Sequence, residues 1–237
     1  GNATVVNASA LDLAASTVGG NLAVTATTGN LTDSGAVAVG GTTTLTTSAA
    51  NATIDVGTTA STGAVSLNTN GASGSATIVH ANALDLGVSS VGGNLVATAT
   101  TGNVTDSSTV TVGGTTNITT LNADDDIDLG SLASTGSVTL TTSGTTGNAS
   151  VVNASALDLA ASSVGGNLIA TATTGNVTDT GIVTVGGTTN ITTTNADDDI
   201  DLGSLASTGP VTLTTSGTTG NATVVNASAL DLAASTV

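Results

Sequence analysis

The stretch GNATVVNASALDLAASTVGGNL begins at Gly1 and returns, with few changes, at Gly74, Gly147 and Gly220. The interval between returns is constant, with no insertion or deletion. The chain is therefore three repeats, 1–73, 74–146 and 147–219, followed by a partial fourth, 220–237. A strict period of this kind means a stack of similar units, each burying its apolar face against its neighbours. The whole of 1–237 is expected to be one continuous solenoid segment. It starts and stops mid-array without atypical terminal units, which points to a fragment of, or one link in, a longer array or filament.

What each repeat builds follows from the residues it has. Phe, Trp, Tyr, Met and Cys are absent, so no thick globular core is available. Val, Leu, Ile and Ala remain for a narrow one. These apolar residues alternate with polar ones, and only one proline, Pro210, interrupts the chain. Alternation with frequent β-branched residues favours strands. In NLAVTAT, Leu22, Val24 and Ala26 face one way and Ala23, Thr25 and Thr27 the other. ATIDVG turns Ile54 and Val56 inward and Asp55 outward, and ALDLAAS turns Leu11 and Leu13 inward and Asp12 outward. No stretch keeps the i, i+3, i+4, i+7 apolar spacing of a helix. VGG, TTGN and STG mark turns.

A parallel β-helix fits these features. Gly or Ala followed by Asn-x-Thr recurs at Gly29, Ala50, Gly74 (with Ser for Asn) and Gly102, at intervals that lengthen each time. Those steps predict about three coils per repeat and about ten in all. At roughly 4.8 Å per coil the rod would be on the order of 50 Å long.

Charge narrows the partners. All sixteen acids are Asp, Lys and Arg are absent, and the formal charge is −16. Nucleic acid and anionic membrane surfaces both need a basic patch. No apolar run approaches the roughly 20 residues of a membrane-spanning helix, so membrane insertion is not expected.

The segment ALDLAASTVGGNLAVTATTGNLTDSGAVAVGGTTTLTT, Ala10 to Thr47, resembles the repeats of large bacterial exoproteins, the filamentous-haemagglutinin-like adhesins. The resemblance extends over essentially the whole chain. It implies a right-handed parallel β-helix, an extracellular or cell-surface location, and a role as adhesin or stalk.

The densest candidate site is NADDDIDLG, at Asn122–Gly130 and again at Asn195–Gly203. Alternate strand residues lie roughly 6.6 Å apart, so Asp124, Asp126 and Asp128, and likewise Asp197, Asp199 and Asp201, are candidate ligands for one Ca²⁺ each. The competing reading is a solvated acidic corner. The first repeat carries Asn51, Ala52 and Thr53 in place of three of the acids, and Asp124 falls in the column of Asn103 and Asn148, as one more rung of an Asn ladder. Three coils, roughly 14 Å, would separate the two clusters. His80 stands where other repeats carry Asn7, Asn153 and Asn226, and reads as a neutral replacement, with a pH switch or metal ligand as the alternative. Asn-x-Ser/Thr triplets are numerous and read as products of strand alternation and turn chemistry rather than as glycosylation acceptors. Thr-x-Thr phrases such as Thr25 with Thr27 raise an ice-binding reading, which uneven coil steps would defeat. Cys, Lys, Arg, Tyr and Glu are absent and the single His has no adjacent acid, so no catalytic residues are expected, with Asp124 and Asp128 as an acid–base pair the remote alternative.

These features predict a structural, non-enzymatic rod or filament segment at a bacterial cell surface or in a secreted protein. Its expected partners are copies of itself or flanking coils end to end, and host or neighbouring-cell glycans or proteins. The alternative is a direct binding module that depends on glycan or calcium.

Overall fold

A computed structural model describes all residues, 1–237. The first repeat folds into nine strands: β1 (Ala3–Asn7), β2 (Leu11–Leu13), β3 (Ser16–Val18), β4 (Leu22–Ala26), β5 (Leu31–Asp33), β6 (Val37–Val39), β7 (Thr43–Ala50), β8 (Ile54–Ser61) and β9 (Val65–Asn70). The later repeats reproduce this set, and all pairing is parallel between strands about one coil apart, as in β1 with β4 and β4 with β7. The result is a β-solenoid of about 11 turns. Two sheets, of 13 and 15 strands, form its walls. At about 4.8 Å per turn it measures on the order of 50 Å.

The walls meet over one continuous core. Leu, Val, Ile and Ala at alternate strand positions point inward and form a single cluster of 46 buried residues. β4 shows the rule, with Leu22, Val24 and Ala26 buried and Ala23 and Thr25 partly exposed. Coverage on both sides is required. Val5 of β1 in the first coil is 38% exposed, whereas the equivalent Ile78, between two coils, is 0%.

The chain crosses between the walls seven times per repeat. β1, β4, β7 and β9 lie in the smaller sheet, while β2 with β3, β5 with β6, and β8 lie in the larger one. Seven half-coils make three and a half coils, half a coil more than the Asn-x-Thr signature counted. Register pairs Ala3 with Leu22, Leu22 with Thr43, Thr43 with Val65 and Val65 with Leu86, in nearly even steps. The lengthening intervals of the signature do not survive. The signature marks a corner that exists on both sides of the rod. Gly74 leads into the larger sheet and Gly102 into the smaller one, so that step carries the count across.

Because seven is odd, each repeat starts in the opposite wall from the last. Ala76–His80, the counterpart of β1, lies in the larger sheet, and Ala149–Asn153 returns to the smaller one. The two NADDDIDLG segments therefore sit on opposite walls, three and a half coils apart, not stacked three coils apart on one side.

Candidate functional site

The long strand β8 and its counterparts Ile127–Ser134 and Ile200–Ser207 start at this corner. Each is bulged against the strand that follows it: Val56 and Thr59 face Ile78 and His80, so that one strand advances by one residue more than the other. A bulge frees backbone N–H groups from the ladder. A carboxylate from the preceding coil collects them. Asp33 accepts from Gly57 N at 2.7 Å and Thr58 N at 2.8 Å. Asp106 does the same for Gly130 and Ser131, and Asp179 for Gly203 and Ser204. These three aspartates escape sequence reasoning. Their signal is an Asp placed one coil ahead of the Gly of a Gly-Thr or Gly-Ser pair.

The DDD run divides its work. Asp124 and Asp197 adopt φ of 65°, as Asn51 does at 63° in the first repeat. Asn and Asp tolerate that left-handed conformation better than most residues. The Asp124 Oδ1 accepts the N–H groups of Thr145 at 3.0 Å and Thr146 at 2.9 Å. These bonds, Thr146 first, hold its carboxyl below the usual range; at Asp197 the N–H groups of Thr218 and Thr219 do the same. Asp125 Oδ2 receives Gly102 N and Asn122 Nδ2, the latter at 3.0 Å.

Asp126, not Asp124, is the rung of the Asn ladder. Its N–H donates to Asn103 Oδ1 at 2.9 Å, and its Oδ1 accepts Asn148 N at 2.7 Å and Asn148 Nδ2 at 3.1 Å. Asp199 makes the same bonds with Asn176 and Asn221. The ladder continues as Asn167 N to Asn148 Oδ1 and Thr188 N to Asn167 Oδ1.

Asp128 and Asp201 point outward from the strand and are exposed. Asp85 pairs in register with Thr105, Thr105 with Asp128, and Asp128 with Ser150. Strand aspartates thus alternate with hydroxyl residues along a column, at roughly twice the 4.8 Å strand spacing, which exceeds the Debye length of about 8 Å at physiological salt. Asp106 occupies the coil between. Burial pushes its carboxyl up, the Ser131 and Gly130 N–H groups oppose that, and Asp128 and Asp85 add to the rise. One oxygen each of Asp85 and Asp158, Oδ1, is buried without a hydrogen-bond partner.

Of the predicted ligands, Asp126 and Asp128 come together. They line a shallow groove of about 360 Å³ with Asn148, Ser150, Asn167 and Ile169. Asp124 lies outside that lining, occupied by its turn. No three carboxylate or imidazole groups converge in a way that would hold a metal ion.

His80 takes the place of Asn153, with both ring nitrogens engaged. The Thr face is more regular than uneven steps implied: Thr98, Thr119, Thr141, Ser163 and Thr184 stand in register over five consecutive coils. The column on one side begins Val96, Asn117, Thr139, so the hydroxyl pattern breaks on that flank.

A family profile described as "Repeats of unknown function (DUF5649)" matches residues 1–68, 73–141 and 146–214. No curated protein and no solved structure matches the chain.

Proposed function

The chain therefore belongs to the DUF5649 family of repeats, and on that footing we propose that it is a structural, non-enzymatic rod segment of a bacterial cell-surface or secreted protein of the adhesin-like exoprotein kind. The observation that carries this reading is where the polar side chains are committed. Asp33, Asp106, Asp124, Asp126, Asn148 and Asn167 all bond backbone N–H groups of the next coil. The repeat thus invests its side-chain chemistry in joining coil to coil, as a spacer requires. The outward aspartates give the rod a negative surface that keeps neighbouring rods apart. Flanking coils or further copies end to end are its natural partners.

Solution scattering on proteins with one to four added copies of 147–219 tests the mechanical half. The length should grow by about 17 Å per copy, three and a half strand spacings, at constant cross-section. A cross-section that grows with copy number would sink it. Antibody against the rod should label intact source cells; label confined to broken cells would remove the surface assignment.

A second reading rests on the groove at Asp126 and Asp128. Two carboxylates, two carboxamides and the half-exposed Ile169 offer hydrogen bonds and an apolar patch to a glycan, with or without Ca²⁺. With the rod reading, the circular dichroism melting midpoint should be the same in EDTA and in a few millimolar Ca²⁺. A rise with Ca²⁺ that Asp126→Asn with Asp199→Asn abolishes, or saturable glycan-array retention lost in Asp128→Ala, would favour the binding module instead.

A further inference from the structure

We propose that His80 makes one coil of this rod a pH-sensitive joint, closed at neutral pH and loosened by acid. The position is the last residue of the first strand in each repeat, and Asn7, Asn153 and Asn226 fill it elsewhere. Inside the rod this side chain is sealed from water, with Asn153 0% and His80 1% exposed. Asn153 both accepts and donates there. Its Oδ1 takes the Ser134 N–H at 2.8 Å, and its Nδ2 donates to Ser134 O at 3.0 Å and Ala156 O at 2.8 Å. His80 reproduces both roles with a ring. Nε2 accepts the Ser61 N–H at 2.7 Å, and Nδ1 lies 3.2 Å from Asn82 O.

These partners fix the proton. A backbone N–H only donates, so Nε2 must be bare; a carbonyl only accepts, so the proton sits on Nδ1. A carboxamide holds such a pattern at any ordinary pH, whereas an imidazole does not. A second proton, on Nε2, would face the Ser61 N–H directly, in a site closed to water.

No opposite charge compensates. The preceding strand, β8, carries Asp55 on its outer face, and the following strand, Leu95–Ala99, has no titratable residue. Asp85 lies outward on the next strand along the chain, Leu84–Leu86. Burial holds the imidazole below its ordinary 6.5, with the backbone groups of Asn82 and Ala83 opposing. A folded value below the unfolded one means that the stabilisation is complete above 6.5 and is lost as pH falls through the folded value. The joint lies between β8 and Ala76–His80, where the bulge already interrupts the register.

The single histidine gives one imidazole signal in a ¹³C-labelled protein, and amide exchange reads the joint directly. The expected result has three parts. The imidazole titrates below 6.5. Protection factors at Ser61 and across 76–82 fall between about pH 7.5 and about pH 5, by at most about 30-fold for a fully buried neutral ring. His80→Asn, which installs the residue the third repeat uses, removes that fall while keeping the circular dichroism spectrum. The converse variant, Asn153→His, should bring the same acid sensitivity to Ser134. An equal fall in His80→Asn would overturn the proposal, as would a titration at or above 6.5, or no fall in the unaltered protein.

Discussion

Asn153→Ala is expected to destabilise the coil that holds it by about 2 to 3 kcal/mol, since it strands the Ser134 N–H in a site 0% exposed. An unmade hydrogen bond inside costs more than the same bond gains, because the abandoned group has no water to turn to. Asn7→Ala supplies the comparison. Asn7 belongs to the first coil and its side chain bonds only Ser9 and Ala10, on its own coil, so its loss should cost a small fraction of that. Amide exchange at Ser134 separates the cases, whereas a single melt would blur them, because stability in a stacked array is a sum of local terms. Unchanged protection of Ser134 in Asn153→Ala would show that the buried amide contributes nothing.

Gly92→Ala is the second large effect, about 3 kcal/mol or more. An ideal Cβ there would overlap the carbonyl oxygen of Gly71, the glycine stacked against it in the preceding coil, and lie 2.8 Å from its carbonyl carbon. Both obstacles are backbone, so no rotamer change relieves them, and the corner must open. Gly57→Ala makes the opposite case. Its nearest neighbour is Asp33 Oδ1 at 3.9 Å, and alanine should fall within about 0.5 kcal/mol of the parent. Urea titration followed by circular dichroism compares the two. Equal midpoints would mean that the corner is far softer than close stacking suggests.

Alternation was enough to read the fold. Leu22, Val24 and Ala26, or Ile54 and Val56, announce an inward face because the side-chain period of a strand is two. The coil count was harder, because a corner turning into one wall is built from the same residues as a corner turning into the other. Gly74 and Gly102 share a signature but enter different sheets, and only pairing in space tells them apart. The aspartates show the same limit. Asp126 and Asp128 are correctly placed together by the strand period, but the rung position of Asp126 depends on Asn103 and Asn148, each a coil away. The bulge that employs Asp33 depends on a mismatch between strands a whole coil apart, which no local pattern discloses. That His80 stands in for an asparagine, by contrast, is legible by comparing repeats, since Asn7, Asn153 and Asn226 fill the same position.

An odd count of half-coils gives the array a parity. Gaining or losing one whole repeat turns everything beyond the change to the other side of the rod, while gaining or losing two restores it. A domain carried at the far end would thus be aimed left or right by whether the repeats are even or odd in number. Length and bearing are then set by a single integer, and lineages that shorten such a rod in pairs would keep its direction while those that shorten it singly would reverse it.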